Sequence, residues 1–354
     1  MTPEGWPVVP MELTRCDAPH DAPDTLFQVK WDGVRRLAYA YPDGVDARPR
    51  HSLCRRYREM PATKELFEIE GRALALTNLD KVYFPAINAT KAELIEYYLT
   101  MAPYILPYLK NRPFSMLHYP HGVGRETFFQ KRRPDDAPDW LAGVRIPSHE
   151  KTIDWCLVND APNLIYMVNR SCLETHAWFS RVPNIEEPDV AIFDIDPSGN
   201  TGFSHAVEGA LLVKAALDAY GLFSIPKTSG KTGVHVVVPI EPTSFEQVRK
   251  FLAVICKAIE RTQPELFTTE RIIKKRGDRV YLDAVQNARG KTLPSPYSVR
   301  SIPNASISAP LTWAELEKGV TPEQFHIRNI PARIKEAGDL FAPAYTMRQI
   351  LPEL

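Results

Sequence analysis

The feature that most restricts this chain is an apolar run ending in two acids, Val190-Ala-Ile-Phe-Asp-Ile-Asp196. Residues of this kind form a buried β-strand. Because strand side chains alternate between faces, Asp194 and Asp196 project from one face, with a rise of roughly 6.6 Å between them. Two half-buried carboxylates on one face repel and are driven toward protonation unless a cation or strong local pairing intervenes. Mg²⁺ or Mn²⁺ is one solution. The other is structural, with Asp196 acting as a capping acceptor in a turn at Asp196-Pro197-Ser198-Gly199. Asp-x-Asp alone leaves both open.

Two further segments bear on the choice. Thr228-Ser-Gly-Lys-Thr-Gly-Val-His235 packs two glycines, two threonines, a serine, a lysine and a histidine into eight residues just before a strand. Such a loop offers backbone N–H groups and a cation to phosphate oxygens. It departs from a P-loop, because the upstream glycine is missing and a strand, not a helix, follows. A glycine-bearing hairpin turn with a solvent-facing lysine is the structural alternative. Asp283 ends Val280-Tyr-Leu-Asp, with Gln286, Asn287, Arg289, Lys291 and Arg300 downstream. A third carboxylate followed by cations suits a metal-bound triphosphate.

With 43 basic and 43 acidic residues the net charge is zero, which argues mildly against a nucleic-acid binder. The local balance differs: residues 271–300 hold eight Arg or Lys against Asp278 and Asp283, a net charge of +6. Arg125, Lys131, Arg132 and Arg133 bracket Phe128 and Phe129, with Glu126 the acid among them. Basic residues beside aromatics suit a phosphate backbone with stacked bases, although a solvated charged face has the same composition. Cys16, Cys54, Cys156, Cys172 and Cys256 form no CxxC pair, so neither a zinc site nor a disulfide framework is expected. The N-terminus lacks the basic start and apolar run of a secretory signal, and no segment has the length or purity of a membrane span. A cytoplasmic location is expected.

A chain of 354 residues allows one large core or two unequal domains. The proline-rich first 60-odd residues read as extended chain with short strands, including a hairpin over Leu26–Tyr41 turned at Trp31-Asp32-Gly33. From Thr77 helices and strands alternate, which sets the expected boundary between 1–69 and 70–354. Thr90-Lys-Ala-Glu93 predicts a capping box opening a helix to Tyr98 or beyond. Ser204 and Ser244 are candidate caps for two more helices, the first stopping at Gly221. Strands are expected at 190–196, 234–238 and 279–283.

The order Asp-x-Asp, Ser-Gly-x-x-Gly-x-His, Asp-x-x-Gln-Asn and Pro-Tyr-Ser-x-Arg resembles the archaeo-eukaryotic primase superfamily, and most closely the polymerase domain of bacterial ligase D. The likeness covers roughly Leu74 to Leu340. It implies a mixed α/β (α+β) primase-polymerase core with central sheets flanked by helices, plus a small N-terminal extension. It further implies two-metal nucleotidyl transfer, Mn²⁺-favoured, with ribonucleoside or deoxyribonucleoside triphosphates (NTP/dNTP) as substrates. Gapped or broken DNA ends with a 5′-phosphate would be the partner, alongside a separate ligase and an end-binding protein. A monomer associated with the bacterial nucleoid is expected.

Carried across position by position, the resemblance gives Asp194 and Asp196 both metals and Asp283 the metal that activates the primer 3′-hydroxyl. His176, Ser229, Lys231, Gly233, His235, Gln286 and Arg300 would contact the incoming nucleotide. Thr232 stands where the family often has its lysine, so either Lys231 or Thr232 reaches phosphate. Phe128 and Phe129, followed by Lys131, match the aromatic pair that packs on a base, a core pair being the alternative. Lys81 and Lys91 match the lysines that grip a 5′-phosphate across a gap.

A second resemblance lies upstream. Lys30-Trp-Asp-Gly-Val-Arg35 is similar to the Lys-x-Asp-Gly-x-Arg motif of ATP-dependent DNA ligases, and Arg50–Tyr57 faintly echoes the next ligase element. Later ligase motifs have no room before the polymerase-like sequence, so the segment reads as a shortened relic. Beside the polymerase reading stand two others, a nucleotidyltransferase or ligase adenylated at Lys30, and a non-catalytic DNA-end-binding module. Covalent label from ATP that is lost in Lys30→Ala would single out the former, and primer extension would exclude the latter.

Overall fold

The structure, a computed structural model, describes the backbone of residues 26–31, 34–41, 44–49, 53–56 and 64, and residues 65–148 and 151–353 with their side chains. The chain divides into two compact units, Met1–Thr77 and Asn78–Leu354.

The first unit is a six-stranded antiparallel meander in sequence order: β1 (Leu26–Trp31), β2 (Val34–Tyr41), β3 (Gly44–Pro49), β4 (Leu53–Arg56), β5 (Lys64–Ile69) and β6 (Arg72–Thr77). The expected hairpin is present, with Trp31 opposite Val34, while Asp32 and Gly33 lie outside the described residues. The Lys30 backbone sits opposite Arg35. Its side chain, and the Arg50–Tyr57 side chains, also lie outside the described residues. Ile69 pairs with Arg72 across Glu70 and Gly71, whose φ angles of 47° and 78° are the left-handed pair a two-residue hairpin needs. The boundary expected at 69/70 therefore falls inside this turn. The hairpin holds β5 and β6 together, and the division comes after β6.

The second unit begins with a small ladder, β7 (Val82–Phe84) and β8 (Ala89–Thr90), and then α1 (Lys91–Leu109). Thr90 caps α1 by accepting from the Glu93 N–H at 3.3 Å. Next come β9 (Pro113–His118), β10 (Phe128–Gln130), β11 (Gly143–Pro147), β12 (Thr152–Leu157), α2 (Ala161–Asn169) and β13 (Cys172–Trp178). With β19 (Thr292–Pro294) these strands make one sheet in the order β11-β12-β9-β13-β19, and β10 pairs with β9 off that path.

A five-stranded sheet follows, ordered β15 (Ile225–Thr228), β16 (Val234–Pro239), β14 (Val190–Asp196), β18 (Val280–Asp283) and β17 (Phe267–Thr268). Its helices are α3 (Phe203–Ala219) and α4 (Phe245–Thr262). Ser244 caps α4, accepting from Gln247 N–H at 3.1 Å. The other expected cap is corrected, because Gly202 is the N-cap of α3 and Ser204 lies within the helix. The Gly202 N–H donates to His205 Nδ1 at 3.1 Å, the bond that a side chain at the third helical position returns to the N-cap backbone in a capping box. Helix α3 ends before Gly221, as expected, with φ at +69°. At Gly209, α3 crosses β14 closely, since a Cβ there would lie 2.9 Å from Phe267 and 3.3 Å from Ile195. Ile195 thus faces α3, and strand alternation sends Asp194 and Asp196 off the opposite face.

Cys156, Cys172 and Cys256 are free and buried, each thiol pushed up to about 12 by burial. Among the described residues no helix is long and apolar enough to cross a membrane.

Candidate active site

Register across the second sheet builds the acidic centre. Asp194 lies opposite Asp283 of β18 on one side and His235 of β16 on the other, and His235 in turn lies opposite Lys227 of β15. Directly opposed residues share a face at Cβ separations of about 4.5–5.5 Å. Lys227, His235, Asp194 and Asp283 therefore form one transverse row across four strands, with Asp196 one step along the Asp194 face.

The acids crowd one another. Burial and the Asp283 charge push the Asp194 carboxyl up to about 7, and burial with the charges of Asp194 and Asp283 does the same for Asp196. Asp194 is 7% exposed, and its Oδ1 lies 3.2 Å from His235 Nε2. Asp283 Oδ1 accepts from the Gln286 N–H at 2.9 Å, while Gln286 Nε2 donates to the Thr292 carbonyl at 2.9 Å. Gln286 is thereby tied to the strand ends that carry the acids. Among the described residues no three His, Cys, Asp or Glu side chains already close into a metal-ligand set. What the register supplies is a shared face of crowded acids whose mutual charge and burial outweigh the nearby cations Lys227, Arg276 and Arg300.

The loop between β15 and β16 is a hairpin connection, as its structural alternative expected, and it is tightly braced. Ser229 Oγ accepts from Lys231 N–H at 3.2 Å and Gly233 N–H at 3.0 Å, and Ser229 N–H reaches the Gly233 carbonyl at 2.8 Å. Two backbone N–H groups are thus turned inward to Ser229. Gly233 is required by space, since a Cβ there would meet the Ile195 carbonyl oxygen at 2.5 Å and Asp196 Oδ1 at 2.9 Å. Lys231 and Thr232 are both exposed, and Lys231 Nζ lies 3.9 Å from Glu174 Oε1.

Glu174, which the sequence reading passed over, organises the cations here. Its side chain is 1% exposed. Oε2 lies 2.9 Å from His176 Nε2 and 3.2 Å from Arg300 Nε, and Oε1 accepts from Ser301 N–H at 2.9 Å and Ser301 Oγ at 2.6 Å. Burial alone would raise this carboxyl, but the His176 hydrogen bond and the Arg300 charge hold it well below the usual carboxylate range. Arg300 Nη1 also donates to the Ser229 carbonyl, which links β13, the hairpin loop and the Arg300 segment. An acid flanked by His176 on its own strand gave a signal, Glu-x-His, but its partners come from 126 and 127 residues downstream and could not be read locally.

The remaining expected residues separate into groups. Phe128 and Phe129 are 52% and 51% exposed on β10, which rules out a core pair; His118 stacks on Phe128 at 4.5 Å between ring centroids. Lys131 Nζ is 5.9 Å from the Phe129 ring. Lys81, His121, Arg125 and Glu126 line a cleft of about 400 Å³, where Lys81 Nζ donates to the Pro120 carbonyl at 2.5 Å. Lys91 does not share that exposure: it is 2% exposed, its Nζ bonded to the Asn169 carbonyl at 2.6 Å and to Asn169 Oδ1 at 2.8 Å. Burial and the Lys81 charge lower its amine to about 8. The basic run 271–300 does not make one face, because Arg289 pairs with Glu186 at 2.7 Å, Arg276 lies 3.7 Å over the Tyr281 ring, and Arg300 turns inward. Asn287 is structural, its amide accepting from Ile192 N–H at 2.9 Å and donating to the Ile192 carbonyl at 2.7 Å.

One antiparallel and one mixed sheet with helices, and acids sharing one strand face beside a cation-bearing hairpin, define a nucleotidyltransferase of the primase-polymerase class. Residues 90–341 match the family model "LigD, primase-polymerase domain". The bifunctional non-homologous end joining protein LigD of Bacillus subtilis (strain 168) is 38% identical over 281 residues, 79% of this chain and 45% of that protein. The multifunctional non-homologous end joining protein LigD of Mycolicibacterium smegmatis is 33% identical over 273 residues, 76% of this chain and 35% of that protein. Among solved structures, the polymerase domain of Mycobacterium tuberculosis Ligase D in complex with DNA superposes with a TM-score of 0.73 at 28% identity, covering 78% of this chain and 99% of that one. The chain belongs to the LigD primase-polymerase domain family, and it spans less than half the length of these curated relatives.

Proposed function

We propose that this chain adds ribo- or deoxynucleotides to a primer 3′ end on DNA, in gap filling or end joining. The carrying observation is the register that sets Asp194 opposite Asp283, with Asp196 on the same face. Asp194, Asp196 and Asp283 would hold divalent metal, Mn²⁺ or Mg²⁺. Their fit to a cation is supported by two carboxyls raised to about 7 through burial and mutual charge, the condition a bound cation relieves. Held by these carboxylates, a divalent cation would supply positive charge for phosphoryl transfer.

The chain's own residues do the positioning. Arg300 and Lys231 bring positive charge to the hairpin loop, suited to the triphosphate, and His176, Ser229, Thr232, Gly233, His235 and Gln286 would contact the incoming nucleotide. Phe128 and Phe129, exposed beside Lys131, offer a stacking platform for a base. The Lys81 cleft, with Arg125, suits a 5′-phosphate; Lys91, held by Asn169, supports that region from within rather than reaching the ligand. The relatives' role in non-homologous end joining favours broken ends as substrate; a separate ligase and an end-binding protein would be the partners, at the nucleoid.

The test is gap filling by the purified chain, comparing ribo- with deoxynucleotides and Mn²⁺ with Mg²⁺. Asp194→Ala and Asp283→Ala are expected to abolish addition while fold and DNA binding persist. Undiminished extension, or unfolding of either variant, defeats the reading.

A further inference from the structure

Phe128 stands 52% exposed on a three-residue edge strand, where an aromatic ring has little to hold it. What holds it is His118. The two residues are directly opposed across β9 and β10, and their rings stack with centroids 4.5 Å apart and planes 17° from parallel. His118 is 3% exposed, so the imidazole backs the phenyl ring from the protein side. The imidazole is itself fixed from a second direction. His118 Nδ1 lies 2.8 Å from the Arg170 carbonyl oxygen, and because a carbonyl only accepts, Nδ1 donates, whether the ring is neutral or protonated. Arg170 is the C-cap residue of α2, and its own N–H bonds to the Tyr166 and Met167 carbonyls at 3.1 Å. The histidine is therefore tied to a helix end as well as to its strand. Alternation sends Phe129 to the other face of β10, where Lys131, two residues on, is its cation neighbour.

We propose that His118 is a positioning residue for nucleic-acid binding: stacked behind Phe128, it holds the phenyl ring in one orientation before DNA arrives, and a substrate base completes a three-ring stack on the open face of Phe128. The proposal rests on the reading of Phe128 as a platform for a base, and it names what makes that platform rigid. Ordering a side chain on binding costs affinity, and a ring that is ordered beforehand avoids the cost. Offset-stacked aromatic rings also attract beyond the area they bury, which keeps the pair together at an exposed edge.

Titration of fluorophore-labelled gapped duplex DNA with the full chain reads the effect. His118→Gln, which keeps a donor and loses the ring, is expected to weaken binding about fivefold. In a Phe128→Ala background the same change should do nothing further. His118→Phe, which keeps a ring and loses the donor, should bind within about twofold of wild type. In single-nucleotide primer extension, His118→Gln should raise KM for DNA and leave kcat at saturating DNA unchanged. Wild-type affinity in His118→Gln overturns the proposal. So does equal loss in His118→Phe, or a loss that persists without Phe128, because a purely structural histidine gives those results. Should either His118 variant fail to fold, the wild type without DNA decides: the Phe128 ring protons, assigned with Phe128→Leu, should be shifted upfield by the imidazole, and positions typical of a free ring overturn the stack. Failure of the underlying reading looks different, since Phe128→Ala would then bind gapped DNA as wild type does.

Discussion

Asp194→Asn is expected to make the metal-free protein more stable at neutral pH while ending nucleotide addition. The Asp194 carboxyl is pushed from 3.8 up to about 7 in the folded chain, by burial first and the Asp283 charge second. An acid whose folded pKa is raised holds its proton more tightly when folded, so stability is full below the unfolded value and is lost as pH rises toward the folded one. A shift of about three units corresponds to about 4 kcal/mol lost once pH exceeds 7. Asparagine cannot ionise, yet its side-chain amide can still hydrogen-bond to His235 Nε2, 3.2 Å from Asp194 Oδ1 in the wild type. It leaves a buried amide in place of the carboxyl, so about half that figure, on the order of 2 kcal/mol, is the expected gain at pH 8. Urea denaturation in EDTA from pH 4 to pH 8 measures it. The advantage of the variant should grow as pH rises from about 4 to 7 and then level off. Saturating Mn²⁺ should reverse the order by stabilising only the wild type, by about 2.7 kcal/mol at a hundredfold excess over Kd. A variant less stable than wild type at pH 8, or an advantage that does not change with pH, refutes the argument that acid crowding opposes folding here.

Phe128→Ala, at a position 52% exposed, should leave the urea midpoint nearly unchanged yet weaken primer-template binding by about 1–3 kcal/mol in a fluorescence titration; a large drop in stability would return Phe128 to the core. Lys81→Ala should weaken binding to gaps bearing a 5′-phosphate roughly tenfold more than to gaps lacking it, and equal loss on both would remove the cleft from phosphate recognition. Lys91→Ala, by contrast, should cost stability of about 2 kcal/mol by leaving the Asn169 oxygens without their buried donor, seen as a lowered urea midpoint. For Glu174→Gln the expected cost is about 3 kcal/mol at pH 7. Burial opposes the Glu174 charge but His176 and Arg300 outweigh it, so this stabilisation is present above pH 4.5 and lost as pH falls through the lower folded value. A variant equal to wild type at pH 7 would show that Arg300 is held by other means.

What the chain determines locally was legible without coordinates. The apolar run closing on Asp194 and Asp196 fixes two acids on one strand face, because alternation with a period of two is a property of the backbone alone. Thr90 and Ser244 announce helix starts, because a cap bonds to an N–H within the next few residues. The same local logic misled at Ser204, since the N-cap lies two residues earlier at Gly202, whose N–H bonds back to His205. The change of texture at Thr77, by contrast, coincides with the division of the chain, and residue 69 lies inside the β5–β6 hairpin. What only the tertiary structure decided is which distant residues stand side by side. Nothing near Lys227 in sequence says that it sits beside His235, nor that His235 sits beside Asp194 and Asp194 beside Asp283; those adjacencies are set by the register of four strands drawn from residues 190 to 283. Burial is likewise a collective outcome, which is why two lysines ten residues apart part company: Lys81 lines an open cleft, and Lys91 is enclosed against the end of α2. Alternation is written into each strand, but pairing depends on packing the whole sheet, and charge acquires its chemistry only after packing has chosen its neighbours.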